Sequence, residues 1–268
     1  MSEMTFDLHP IDLGIIIAYA MLMVGLGLYF GRKHHDAQDY FLAGRKMVWP
    51  LIGISLFASQ VSSTTLVGLA GEAYSTGIAV FNYEGMAAIV LILGVFFLFP
   101  FLLRSGVYTM PEFLERRYNA KARTYFSLLT LFLNIVVDTA GSLFAGALVL
   151  KLLFPELPLW QTVALLAIAA GIYTIVGGLA AVMYTDALQA ILLIFGSIFI
   201  AYAAFSDAGG WQTVMASVPA DMVSLIRPVD DSSGPWPGLL TGVPLLGFYF
   251  WCTNQFIVQR VISAKDIN

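Results

Sequence analysis

Long apolar blocks dominate this chain, and they decide which solvent it can live in. Seven of them follow one another, at 11–30, 49–73, 79–103, 124–153, 159–176, 182–205 and 239–258. Each is close to the ~20 residues that a helix needs to cross a bilayer. Only 11% of the 268 residues are charged and 59% are hydrophobic, whereas a soluble domain averages about 25% and 45–50%. Such a sequence cannot cover a water-facing surface. The reading is an all-α, polytopic protein of the cell membrane (plasma or inner), with one transmembrane domain over 1–268. The fourth block is the longest and is expected to tilt. The segment 206–237, with several Gly, Pro, Ser and Asp, reads as the one long loop.

Orientation follows from the basic residues. With the N-terminus outside, Arg32, Lys33, Arg45, Lys46, Arg104, Arg116, Arg117, Lys121, Arg123, Arg260 and Lys265 face the cytoplasm, and only Lys151 and Arg227 face out. That bias is the positive-inside pattern, and adding or dropping a span would scramble it. Seven spans with the N-terminus out put the C-terminus in. Met1 to Pro10 holds Glu3 and Asp7 but no Lys or Arg, unlike the basic start of a secretory signal. The first block therefore reads as a retained helix. One cysteine, Cys252, cannot form an internal disulfide. No basic stripe or aromatic-basic platform suits nucleic acid.

Two blocks carry polar interruptions. The second places Ser59, Gln60, Ser62, Ser63, Thr64 and Thr65 within an apolar run. The seventh has Pro244 and Gly247, then Thr253, Asn254 and Gln255. Unwound backbone at membrane depth persists only where it is buried in protein or lines a cavity. Its freed carbonyls and hydroxyls can replace the water around a small cation. Broken helices at corresponding places of two halves point to a transporter's midplane site, and these two run in opposite senses, as an inverted repeat requires. The competing reading is that the hydroxyls bond back to their own helix and bend it.

Of the acids in the blocks, Glu84, Asp138 and Asp186 are the candidates. An acid at a helix centre costs roughly 2.5–3.5 kcal/mol on insertion scales, so it tends to face a cavity and mark a function. Glu84 can accept hydrogen bonds from ligand hydroxyls, and Asp138 sits mid-span. Asp186 opens the sixth block, where it is equally readable as an acid favoured by the helix dipole. A proton relay through Glu84 or Asp186 is a further option. Of the aromatics in the seventh block, one ring near the break could stack on a sugar or close a gate. No enzyme constellation is visible: His9, His34 and His35 lie outside the blocks, and Gly177-Gly178 has no basic partner for a phosphate.

Four stretches give the chain a family likeness. They are 39–85 (DYFLAGRKMVWPLIGISLFASQVSSTTLVGLAGEAYSTGIAVFNYEG), 108–119 (YTMPEFLERRYN), 171–189 (GIYTIVGGLAAVMYTDALQ) and 250–268 (FWCTNQFIVQRVISAKDIN). Together they resemble the sodium/solute symporter family, most of all its sodium/sugar cotransporter branch. The resemblance implies a LeuT-like fold of two inverted five-helix repeats. Here 11–30 is a leading helix, 49–205 is the first repeat, and 239–258 opens the second. It implies Na⁺ as the coupling ion, with backbone carbonyls of Ala58 and Val61 as ligands and Asp186 near the ion path. It also implies a solute pocket using Glu84, Phe250 (where relatives often have Tyr), Thr65 (in place of Gln or His), Gln60 (in place of Asn) and Asp138 (in place of Lys or Asn). Asn254, Gln255 and Arg260 match the branch as structural or gating residues.

The expected function is sodium-coupled symport of a small polar solute, a sugar before others, by alternating access. The partners are then that solute, sodium, the bilayer and the missing C-terminal half of the symporter, without which the 268 residues are not expected to transport. Competing readings are a stand-alone membrane subunit that needs a partner, a symporter for an inositol or organic acid, and a passive channel.

Overall fold

In a computed structural model of the protein, residues 9–31 and 36–266 are described. The charges counted at Arg32 and Lys33, the loop histidines His34 and His35, and the acids Glu3 and Asp7 lie outside them. Among the described residues there is no strand, only isolated bridges such as Met47 with Ala264.

Helix α1 (Pro10–Gly31) is apolar on every face, which marks a helix built for lipid or a deep core. Most of it is exposed, with only Met23 and Gly27 buried. The short α2 (Ala37–Leu42) is capped by Asp36, whose carboxylate accepts from the Asp39 N–H. Helix α3 (Trp49–Gln60) starts with Pro50, where a missing N–H costs nothing. It ends at Val61, whose backbone is extended. A π-helical stretch (Thr64–Leu69) then leads into α4 (Ala70–Thr76), and the two halves of this span meet at 59°.

Gly77, at φ +90°, turns the chain into α5 (Phe81–Phe97). Pro100 begins α6 (Phe99–Ser105) and explains the joint at Leu98. The amphipathic α7 (Met110–Arg117) is capped by the Thr109 hydroxyl, and α8 (Ala120–Phe132) by the Asn119 side chain. The run continues through a second π-helical stretch (Leu133–Thr139) into α9 (Ala140–Leu153).

The fifth and sixth apolar blocks form one helical run, α10 (Leu159–Asp207), with a reversal inside it. Gly178 has φ +60° and ψ −169°, a conformation open to glycine and strained for L side chains. Tyr173, before the reversal, lies against Gly27. Tyr184, after it, stacks on Phe30 with ring centres 4.4 Å apart. Both arms therefore fold back from the same end of α1 as a hairpin. The backbones approach closely there: a Cβ on Gly31 would stand 2.3 Å from the Val176 carbonyl oxygen. Small residues at such crossings are how helices gain van der Waals contact where lipid offers no hydrophobic drive.

The short α11 (Trp211–Ser217) precedes the long loop. Helix α12 (Trp236–Gly247) then passes through a third π-helical stretch (Phe248–Thr253) to an extended residue, Asn254, and α13 (Gln255–Ile262). Pro244 does not break this span; it sits inside α12. The break comes at Asn254, whose side chain caps α13 by accepting from the Phe256 N–H.

Among the described residues four helical runs are long and apolar enough to cross a membrane, or five if the bent α3–α4 pair counts as one span. Within these totals the α10 hairpin counts once, and α12–α13 is not included.

Burial is concentrated at one end of the bundle. Leu42, Leu102, Val107, Met110, Val258 and Ile262 form a close-packed cluster there. The Met47 N–H donates to the Ser263 carbonyl (3.1 Å), and the Lys265 N–H donates to the Met47 carbonyl (3.0 Å). The tail of α13 is thereby stitched to the chain just ahead of α3.

Candidate functional site

At membrane depth, an α-helix satisfies its own backbone and offers nothing to a ligand. The helices of this bundle that meet at its centre depart from that rule. The first break frees the end of α3, and local hydroxyls take up part of the loss. The Thr65 hydroxyl donates to the Gln60 carbonyl (2.8 Å), and the Thr65 N–H donates to the Ser62 hydroxyl (3.3 Å). Ser59 bonds back to the Leu56 carbonyl (2.9 Å). Both readings of this polar run are therefore realised: its hydroxyls bond locally and its helix is broken.

Beside this break lies a cavity of about 400 Å³. Its wall brings together Gln60, Thr65, Glu84, Asp138 and Phe250, five residues from four separate helical runs. Phe250 stands edge-on to Trp251 and to Phe256, with ring centres 5.6 and 5.7 Å away, and all three rings line the space. Ser142 also lines it. Ser142 is not among the residues that stand out in the sequence, although its place one turn beyond Asp138 puts the two on the same helix face.

Each of the three π-helical stretches contributes to this wall, through Thr64 and Thr65, through Val137 and Asp138, and through Phe250 and Trp251. Widened turns of this kind occur mostly at functional positions.

Ala58 and Val61 line a second cavity, of about 670 Å³, with Ser62, Ser63, Leu66 and Gln189, against Tyr19 of α1. Ser62 is common to both cavities. The Ala58 carbonyl accepts the Val61 N–H at 3.2 Å, and a carbonyl has a second lone pair to offer. The donors here are neutral oxygens, the ligand type that suits a hard monovalent cation better than a transition metal.

Asp186 lines neither cavity. It is buried, and one carboxylate oxygen accepts from the Ser55 hydroxyl (2.6 Å) and from Arg260 Nη2 (3.0 Å). Arg260 Nε donates to the same Ser55 oxygen (2.9 Å), and Nη1 to the Phe256 carbonyl (2.8 Å). This triad joins α3, the second arm of α10 and α13.

A third cavity, of about 360 Å³, shares Tyr83, Val243 and Leu246 with the central one and is closed by the loop residues Ser233, Gly234 and Pro235. The loop is held by Arg227, which is buried and donates to the Thr76 carbonyl and to Asp231. The N–H groups of Ser233 and Gly234, then the Arg227 guanidinium, hold the Asp231 carboxyl below its usual range.

The sodium:solute symporter family model matches residues 40–268. Sodium/glucose cotransporter 1 of Oryctolagus cuniculus is 36% identical over 96% of this chain and 42% of its own length. The sodium/glucose cotransporter of Vibrio parahaemolyticus is 35% identical over 100% of this chain and 52% of its own. A solved structure, the substrate-bound outward-open state of a Na⁺-coupled sialic acid symporter, superposes with a TM-score of 0.88 at 25% identity, covering 97% of this chain and 55% of that one. The chain thus spans about half the length of the relatives it matches. A match over this much of the sequence and the fold assigns it: the chain is a multi-pass membrane protein that belongs to the sodium:solute symporter family.

Proposed function

We propose that this chain forms the solute wall and part of the ion site of a sodium-coupled symporter for a small polyhydroxylated solute, a sugar, working by alternating access. The observation that carries the reading is the convergence of Gln60, Thr65, Glu84, Asp138 and Phe250 on one cavity, all but Glu84 at or beside distorted turns of their helices. Carboxylate and amide groups match sugar hydroxyls, and the Phe250 ring offers a flat apolar face for stacking. The relatives named as sodium/glucose cotransporters support the solute class.

Na⁺ is the coupling ion in this reading, with the carbonyls of Ala58 and Val61 as its ligands. Ser62, on both cavity walls, is where ion and solute occupancy would be felt together. One charge moving through 100 mV contributes about 2.3 kcal/mol, enough to sustain a solute gradient of roughly fiftyfold at about 1.4 kcal/mol per tenfold.

The topology we propose has seven spans, N-terminus outside and C-terminus inside. In it 49–205 is the first repeat, the two arms of α10 are separate spans, and 239–258 opens the second repeat. The sealed end around Leu42, Val107 and Ile262 is then cytoplasmic. The central cavity meets the third one at Tyr83, Val243 and Leu246, which in this reading is the outward path; the structural neighbour is an outward-open state. Asp186, locked in the sealed end by Arg260, serves in this reading as an inner gate on the ion's exit.

The test is uptake by proteoliposomes of the complete gene product containing this chain, with labelled sugars, inositols and organic acids, with and without a sodium gradient. Saturable, sodium-dependent uptake of a sugar is expected. Flux that ignores sodium and does not saturate would replace symport with a passive pore.

A further inference from the structure

The charge in the central cavity is one-sided. Among the described residues two carboxylates line it, Glu84 and Asp138, and no Lys, Arg or His side chain does. Among the described residues neither carboxylate has a hydrogen-bond or ion-pair partner. This differs from Asp186, which has both Arg260 and Ser55. The guanidinium of Arg260 lies 6.0 Å from the Phe256 ring of the cavity wall but is committed to Asp186, Ser55 and the Phe256 carbonyl. It is not available to balance the cavity.

An unpaired carboxylate at membrane depth is costly and is retained where something pairs with it during function. The rings of Phe250, Trp251 and Tyr83 line the same cavity. Aromatic faces attract cations, Trp most strongly. A neutral hexose would use the hydroxyl-accepting capacity of one carboxylate and leave the second uncompensated. An anionic solute would meet two like charges.

Resting on the symport reading above, we propose that Asp138 selects a positively charged solute: an aminated polyol of the amino-sugar class, with its ammonium seated between Asp138 and Glu84 against the aromatic wall. Its hydroxyls remain for Gln60 and Ser142, so size and polarity stay those of a sugar while the net charge becomes +1. Charge-assisted bonds are about twice as strong as neutral ones, which sets the expected preference at tenfold or more.

The experiment is competition at about pH 6, below the range near 8 where such amines lose their proton. Sodium-driven uptake by the complete gene product in proteoliposomes is measured against D-glucosamine, D-glucose, N-acetyl-D-glucosamine and D-glucuronate. Glucosamine is expected to compete at least tenfold better than glucose and than its own uncharged acetyl derivative, with glucuronate weakest. In Asp138→Asn the glucosamine-to-glucose ratio falls towards one, and in Asp138→Glu it is retained. Because the readout is a ratio within one preparation, a poorly folded variant does not distort it, and the wild-type ratio decides alone if a variant cannot be made. Glucose competing as well as glucosamine in the wild type, or a preference that survives Asp138→Asn, overturns the charge reading and leaves sodium-driven sugar symport standing. Absence of any sodium-dependent uptake overturns both.

Discussion

Replacing Asp186 with Ala strands the Arg260 guanidinium in a buried pocket. Both side chains are about nine-tenths buried, at 10% and 9% exposure. The carboxylate holds two short bonds, 2.6 Å from Ser55 and 3.0 Å from Arg260. Bonds to charged groups contribute about 1.5–3 kcal/mol each, so two sum to roughly 3–6 kcal/mol. Removing one partner of a buried ion pair costs about 3–5 kcal/mol, and the two routes agree. Arg260→Met strands Asp186 in the same way, leaving it with Ser55 alone, and has a similar cost. Removing both charges together leaves no unpaired ion. The double variant is therefore expected to lose about 3 kcal/mol less than the sum of the two singles. The assay is reversible unfolding of the purified protein by SDS in mixed micelles, followed by Trp fluorescence, for wild type, both singles and the double. Independent sites add within about 0.5 kcal/mol. Additivity at that level would show that Asp186 and Arg260 do not form the pair on which the sealed end depends.

Four further outcomes are expected. Glu84→Gln keeps the shape of the cavity but removes a charged acceptor, and it is expected to weaken solute affinity about tenfold or more, read as the KM of sodium-driven uptake. Phe250→Ala removes the stacking face and is expected to raise KM, whereas Phe250→Tyr retains affinity within a few-fold; uptake kinetics separate the two. Gly77→Ala places a Cβ 2.4 Å from the Met222 carbonyl oxygen at φ +90°, a strain of at least about 1–2 kcal/mol; faster chymotrypsin cleavage within 218–235 is the readout. Asp231 is an acid held below its usual range, so its contribution to that loop is present above the ordinary carboxylate pKa and lost as pH falls through the depressed one. Protease protection of 218–235 is therefore expected to be constant from neutrality down to about pH 4 and to decline only below it.

How far the sequence led depends on whether an interaction is local. The polar run Ser59 to Thr65 announces its own break, because hydroxyls in an apolar helix have few other uses, and the structure breaks there. Glu84 and Asp138 stood out as misfits in lipid and Phe250 through the family likeness, and the cavity gathers all three. The triad was not legible. Ser55, Asp186 and Arg260 are 131, 74 and 205 positions apart pairwise, and nothing in a sequence names a partner at that distance. Asp186 alone looked like either an ion-path acid or a helix-terminal one, and only packing reveals the ion pair. The seventh block offered several places for its break, Pro244, Gly247 and the run to Gln255. The helix absorbs Pro244 and fails ten residues on, at Asn254. There the Asn254 side chain can supply the cap that Pro244 has no means to provide.

The π-helical stretches at Thr64–Leu69, Leu133–Thr139 and Phe248–Thr253 bear on how such a wall can diversify. Each holds one residue more than an α-helix needs over the same rise. Deleting a single codon within 133–139 would restore the ordinary ladder and change which residues of that turn, Val137 and Asp138 among them, reach the cavity. Ser142 and the rest of α9 would keep their present face, and both ends of the span would stay at their membrane surfaces. Insertions and deletions of one residue, usually ruinous in a buried helix, become a means of re-lining this site. Among descendants of this chain, changes of solute are expected to coincide with one-residue gaps at these three places as often as with substitutions in the wall.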